Sequence, residues 1–192
     1  MSKTVEDVLL DIVSICEHEP FTYAVMGGLA VRVHGIPRPT YDVDFQLTVD
    51  EDQLTRFVSL VEKRNYSIGE QYVAGWRDRV GGMPLIKLKT YMADGHSIDV
   101  DIFISETPFQ ISIMNRRVRL ELEGKTMWFV SAEDLVLLKL LANRPRDVGD
   151  ISDILFVQSE LDHAYIRKWA GPLGIETQLE KVLDDSDFEN QR

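Results

Sequence analysis

Two aspartates, Asp42 and Asp44, stand two positions apart in the stretch Arg38-Pro39-Thr40-Tyr41-Asp42-Val43-Asp44-Phe45. On a β-strand that spacing turns both carboxylates to one face, with their Cα atoms about 6.7 Å apart. Oxygen donors so placed suit Mg²⁺ (or Mn²⁺) ions about 3.5–4 Å from each other, the arrangement of phosphoryl and nucleotidyl transfer. Upstream, Met26 is followed by Gly27-Gly28, where the missing Cβ atoms let backbone approach a phosphate. Arg38 and Thr40 are then candidate phosphate or ribose contacts. Each feature also has a plain alternative: a solvated acidic strand face for the aspartates, a tight turn for the glycines.

Two metals need a shared third carboxylate, and an attacking hydroxyl needs a base. His96-Ser97-Ile98-Asp99-Val100-Asp101-Ile102-Phe103 offers Asp99 and Asp101 on one strand face, with Ile98, Val100 and Ile102 on the other. Acids inside an apolar strand are costly to bury unpaired, so metal, a basic partner or solvent is expected beside at least one of them. Lys139 interrupts Leu135-Val136-Leu137-Leu138-Lys139-Leu140-Leu141. It either snorkels at the core rim or reaches toward a triphosphate. Arg144, Arg146, Asp147, Asp150 and Asp153 follow. Their aspartates suit the positive end of a helix dipole and can also orient Lys139 or an arginine. Trp76 beside Arg77 and Arg79 is the one tryptophan placed as an acceptor-binding loop would place it.

These groups need elements to hold them. Apolar spacing predicts a lead helix over 4–17 with Thr4 as its cap, then a strand over 21–26, the glycine turn, and a short helix over 29–34 ended by Gly35-Ile36-Pro37. A strand over 42–49 and a helix from Asp50 to about Lys63 come next. Residues 66–82 are expected to be loop-rich with a short strand near 71–74. Strands over 85–92 and 97–104 pair about Ala93-Asp94-Gly95-His96, and 118–122 with 125–130 about Glu123-Gly124. Ser131 opens a helix over 135–142, and further helices are expected over 147–159, 161–170 and 176–183, before an acidic, frayed tail at 184–189. The fold class is α+β: a small mixed sheet flanked by helices, with a helical C-terminal third. The expected division is a core at 1–130 and a helical region at 131–192, packed as one unit.

Composition narrows the function classes. The 192-residue chain is long enough for a proper core, with 44% hydrophobic and 28% charged residues. Its formal charge of −11 opposes strong duplex DNA binding while leaving room for a local basic cleft. A single cysteine, Cys16, lies on the apolar stripe of the lead helix and reads as a buried thiol. Four dispersed histidines lack zinc-ligand spacing. No apolar run approaches the ~18 residues of a membrane span and no leader is seen, so a cytoplasmic protein is expected.

Together, Gly27-Gly28, Arg38-x-Thr40-x-Asp42-x-Asp44, the strand holding Asp101, and the block from Ser131-x-Glu133-Asp134-Leu135 through Lys139 to Arg146-Asp147 and Asp150 resemble the nucleotidyltransferase fold of the DNA polymerase β superfamily. More narrowly they resemble the AbiEii-like minimal nucleotidyltransferases, over roughly 20–170. The resemblance implies Mg²⁺-dependent transfer of a nucleoside monophosphate from an NTP to a hydroxyl. It assigns metal to Asp42, Asp44 and Asp101, with Asp101 preferred to Asp99, and nucleotide phosphates to the glycine turn. Lys139, Asp147 and Asp150 would support nucleotide binding or catalysis. Where many relatives have Gly-Ser, Gly28 offers only its backbone N–H. The implied acceptors are RNA, including tRNA ends in toxin-like relatives with an antitoxin partner, a protein hydroxyl or a small molecule. The rival reading is a non-catalytic nucleotide-binding module.

Overall fold

The computed structural model describes residues 3–92 and 95–189, the last six by backbone alone. The lead helix α1 (Val5–His18) starts at a reciprocal capping box. Thr4 Oγ1 accepts from Asp7 N, and Thr4 N donates to the Asp7 carboxylate. β1 (Thr22–Met26) leads straight into α2 (Gly27–His34), two residues earlier than periodicity suggests, because the glycines themselves form its first turn. β2 (Asp42–Thr48) and α3 (Glu51–Lys63, capped by Asp50) follow.

The irregular excursion holds β3 (Ser67–Ile68), α4 (Glu70–Val73) and β4 (Asp78–Val80). The strand expected at 71–74 is therefore wrong: that segment is a helical turn. Tyr72 alone is buried from it, and its hydroxyl donates to Asp78 Oδ2 at 2.6 Å, so one anchored aromatic replaces an alternating face. β5 (Met83–Tyr91) and β6 (Ser97–Ile104) form the expected antiparallel pair; the turn residues Ala93 and Asp94 lie outside the described residues.

α5 (Pro108–Arg116) has no counterpart among the sequence expectations. Its signal was present: Thr107-Pro108-Phe109-Gln110 combines an N-cap threonine, proline at the first helical position and a capping-box glutamine. β7 (Val118–Leu122) and β8 (Lys125–Phe129) make the second hairpin. Then come α6 (Ala132–Ala142), α7 (Pro145–Val157), α8 (His163–Leu173) and α9 (Glu176–Glu189). The backbone is helical to Glu189, six residues beyond the 176–183 helix expected from the sequence.

The strands make one mixed sheet in the order β3-β5-β6-β2-β1-β8-β7, with β4 on the outer edge of β5. β1–β2 is antiparallel; β2–β6 and β1–β8 are parallel. Helices flank this sheet, as expected for the α+β class. Val43, Phe45 and Leu47 are fully buried on one face of β2. The opposite face is not simply solvated: Gln46 is fully buried too, donating to Gln110 O at 2.8 Å and Ser105 Oγ at 3.1 Å, beneath α5. Cys16 is buried in α1, and burial pushes its thiol up to about 12. Among the described residues, no helix is long and apolar enough to cross a membrane.

Candidate active site

The parallel pairing of β2 and β6 sets the acidic centre. Its register places Asp44 opposite Asp101 and Asp42 opposite Asp99. β5 continues both rows, with Lys87 opposite Asp101 and Lys89 opposite Asp99. Alternation brings all six side chains to one face of the sheet as two adjacent rungs. Lys87 Nζ lies 3.8 Å from Asp101 Oδ2, and Lys89 Nζ lies 3.3 Å from Asp99 Oδ1.

A cavity of about 280 Å³ opens on the inner rung. Gly27, Asp44, Asp101 and Lys139, four of the residues expected from sequence, line it together. Arg144 and Lys87 join them, and Met26, Met83, Phe103, Leu135, Leu138 and Leu141 supply an apolar wall. Neither Arg144 nor Lys87 was assigned a role from sequence. Counting back from a turn over 93–96 would have set Leu88 against Asp101; the observed register, Tyr91 with Ser97, is offset by one residue and puts Lys87 there, so this partner was not legible in the sequence.

The glycines serve the site differently from what their sequence suggests. Gly27 has φ +64°, and a Cβ there would overlap the Asp44 carboxylate; a Cβ on Gly28 would overlap Thr40 Oγ1. The space they leave is filled by the site's own side chains. α2 has no side-chain cap at Met26; of its first turn Gly27 lines the cavity, while Gly28 and Leu29 are buried. Thr40 Oγ1 donates to Asp42 Oδ1 at 3.2 Å, and Arg146 Nη2 lies 3.6 Å from Asp42 Oδ2.

Lys139 does not reach freely into the cavity. Its buried ammonium donates to Asp147 Oδ1 at 3.1 Å and to Asp150 Oδ2 at 2.5 Å. Asp150 also takes Arg38 through both oxygens, and Asp147 Oδ2 accepts from Arg144 Nε and Arg144 N, each at 3.0 Å. The result is a chain Arg38–Asp150–Lys139–Asp147–Arg144, three cations on two buried carboxylates. Asp147 and Asp150 thus sit behind the cavity wall. The linkage depends on the α6–α7 turn, where Asn143 in the left-handed region ends α6 and Pro145 starts α7. α6 itself is clamped by Ser131, whose hydroxyl caps it, and by fully buried Asp134, which accepts from Tyr165 of α8 at 2.6 Å.

Electrostatics separate the two carboxylate groups. Burial, with the charges of Asp42 and Asp101, pushes Asp44 up to about 7, against the pull of Arg144 and Lys139. Burial also raises Asp101; Lys87 opposes it, while Asp42 and Asp99 add to it. For Asp147 and Asp150 burial works upward as well, but hydrogen bonds from Arg144 and Arg38 and the charge of Lys139 outweigh it and hold both low.

Asp42 and Asp99 belong to a second cavity, of about 490 Å³, which also takes in Asp101 and Lys87. Asp99 is largely exposed and Asp101 largely buried. Trp76 is exposed, its Nε1 donating to Asp78 Oδ1, and it lines neither cavity. Among the described residues no group of three or more Asp, Glu, His or Cys side chains stands close enough to hold an ion in this conformation.

Solved structures of similar fold include an antigenic nucleotidyltransferase-like protein from Paracoccidioides brasiliensis, at 16% identity and TM-score 0.57, covering 96% of this chain and 95% of that one. The antibiotic-resistance factor ANT(2″)-Ia, in complex with adenylyl-2″-tobramycin, aligns at 12% identity and TM-score 0.55 over 86% of this chain and 94% of that one. The lincosamide antibiotic adenylyltransferase LnuA, lincomycin-bound, aligns at 13% identity and TM-score 0.51 over 82% of this chain and 100% of that one. At these identities the likeness is one of fold. No curated protein sequence is significantly similar to this one. An acidic pair on neighbouring strands beside a glycine turn, on a fold shared with these proteins, agrees with the match of residues 4–171 to the family described as "Nucleotidyltransferase of unknown function (DUF6036)", and the chain belongs to that family.

Proposed function

We propose that the protein transfers a nucleoside monophosphate from an NTP to a hydroxyl acceptor and releases pyrophosphate. The observation that carries this reading is the register pairing Asp44 with Asp101 on a cavity that Gly27, Lys87, Lys139 and Arg144 also line. Gly27, at the start of α2, and the Arg144 guanidinium take the phosphates, and Arg38, held by Asp150, borders Gly28 from the far side. Lys139 contributes positive charge from within the wall while keeping Arg144 and Arg38 in place through the two aspartates. Asp101, raised by burial, accepts the proton of the acceptor hydroxyl.

Asp42, Asp44 and Asp101 would hold a hard divalent cation, Mg²⁺ or Mn²⁺. The donors are all oxygen, and Asp44, raised first by burial and then by the charges of Asp42 and Asp101, stands among negative groups whose charge such an ion would offset. Such an ion would supply positive charge beside the phosphates. Closing the three carboxylates on it requires Asp42 and Asp101 to leave Arg146 and Lys87.

NTP consumption accords with a cytoplasmic setting. The adenylylated tobramycin and the lincomycin of the two antibiotic-modifying neighbours support a small hydroxylated acceptor. A charge of −11 weighs against RNA, so the toxin-like reading with an antitoxin partner rests on the AbiEii-like resemblance alone. The test is incubation of each α-phosphate-labelled NTP and Mg²⁺ with a cell extract, using wild type and Asp44→Ala. Labelled product from wild type only is expected; equal product from a folded Asp44→Ala would sink the reading. Binding without any product would favour the regulatory module.

A further inference from the structure

We infer that the acceptor is a polyhydroxylated small molecule of saccharide type, uncharged or amino-bearing, seated in the second cavity beneath α4. This rests on the nucleotidyl-transfer reading of the first cavity. The two cavities share Lys87 and Asp101 and differ elsewhere. The first owns Gly27, Asp44, Lys139 and Arg144, the groups suited to phosphates. The second owns the outer rung, where the register aligns Asp42, Asp99, Lys89 and Ser67 across four strands. Asp101 therefore stands on the boundary, positioned to serve a hydroxyl arriving from one side and a phosphate held on the other.

The chemistry of the second cavity selects among acceptors. Its volume of about 490 Å³ falls within the roughly 300–1,000 Å³ of small-molecule sites. Hydroxyl, amide, ammonium and carboxylate groups all occur on its walls, Gln71 of α4 supplying the amide. Such a mixture of donors and acceptors matches a molecule rich in hydroxyls, each of which both donates and accepts. Asp99, the carboxylate of this lining outside the set proposed for the cation, can accept from a hydroxyl or from an amine. Sequence-tolerant single-strand binding commonly stacks bases on exposed aromatic side chains, and exposed Tyr91, one rung farther out on this face, does not line the cavity. Tyr72, the aromatic in this lining, is buried and its hydroxyl is committed to Asp78, while exposed Trp76 lies outside.

In the transfer, an acceptor hydroxyl oxygen bonds to the α-phosphorus of the NTP. The bond from that phosphorus to the bridging oxygen breaks, its electron pair leaves with pyrophosphate, and the hydroxyl proton passes to Asp101.

The experiment uses the full chain with Mg²⁺ and each NTP. Nucleotide binding is read by calorimetry, and label transfer is measured to methyl glucoside, trehalose, kanamycin and a short single-stranded RNA. Lys89→Ala and Gln71→Ala, both on solvent-accessible positions away from the core, are compared with wild type. The expected result is label on a saccharide, with the acceptor KM raised about tenfold in each variant, as for loss of a charge-assisted or neutral hydrogen bond, while kcat and NTP affinity hold. Label on a saccharide with unchanged KM in both variants overturns the location. Label on RNA only, or on no member of the panel although NTP binds, overturns the acceptor class. Failure to bind any NTP overturns the reading of the first cavity instead.

Discussion

Asp150 grips Arg38 from 112 positions away in sequence, Nε to Oδ1 at 2.5 Å and Nη2 to Oδ2 at 2.7 Å, and the same carboxylate receives Lys139. One buried side chain thus fixes a cation bordering the glycine turn and another in the cavity wall. Asp150→Ala leaves Lys139 half-neutralised inside the protein, a change that typically costs about 3–5 kcal/mol. Urea unfolding is expected to show a loss of that order, and NTP titration a weaker affinity, because Arg38 loses its anchor.

Lys139 offers the complementary test. Lys139→Met keeps the stem's apolar contacts but strips Asp147 and Asp150 of their shared cation. In wild type both carboxylates are held low, so their contribution to stability is present above the ordinary carboxylate pKa of about 4 and is lost only as pH falls through their depressed values. In the variant, stability should decline from a higher pH, and the acid midpoint in a circular-dichroism titration should move up.

Asp44 behaves in the opposite sense. Its carboxyl, pushed up to about 7, favours the protonated form in the fold, so in chelator the stability it confers is full below about pH 4 and falls as pH rises through 7. Asp44→Asn removes that penalty. The variant should unfold at higher denaturant than wild type at pH 8 in EDTA, by roughly 1–3 kcal/mol, and be indistinguishable at pH 4. Transfer activity should drop by about a thousandfold or more.

Gly27→Ala probes the close approach. A left-handed non-glycine residue costs roughly 1–2 kcal/mol, and the new Cβ must displace the Asp44 carboxylate. Thermal melting is expected to fall by a few degrees while activity falls far more; a variant with wild-type activity would show that Asp44 need not stand where the turn leaves room for it.

What the sequence determined by itself was local. Spacing of two turns both Asp42 and Asp44 to one face, Thr4 and Ser131 announce their helices, and Asp-x-Asp within an apolar strand announces a charged face that burial alone would not tolerate. Short-range geometry fixes these, so residue type and separation suffice. The choice of neighbours lay beyond it. Which aspartate faces Asp44 depends on the parallel register of β2 and β6, two strands that meet only because the chain crosses over between them. Lys139 read either as snorkelling or, the favoured reading, as reaching for phosphate until α7 folded back and brought two carboxylates to it. The glycine pair turned out to make room for Asp44 and Thr40, atoms whose approach no local pattern encodes. Strand register, helix return and close packing are set by summed long-range contacts, and those exist only in the folded chain.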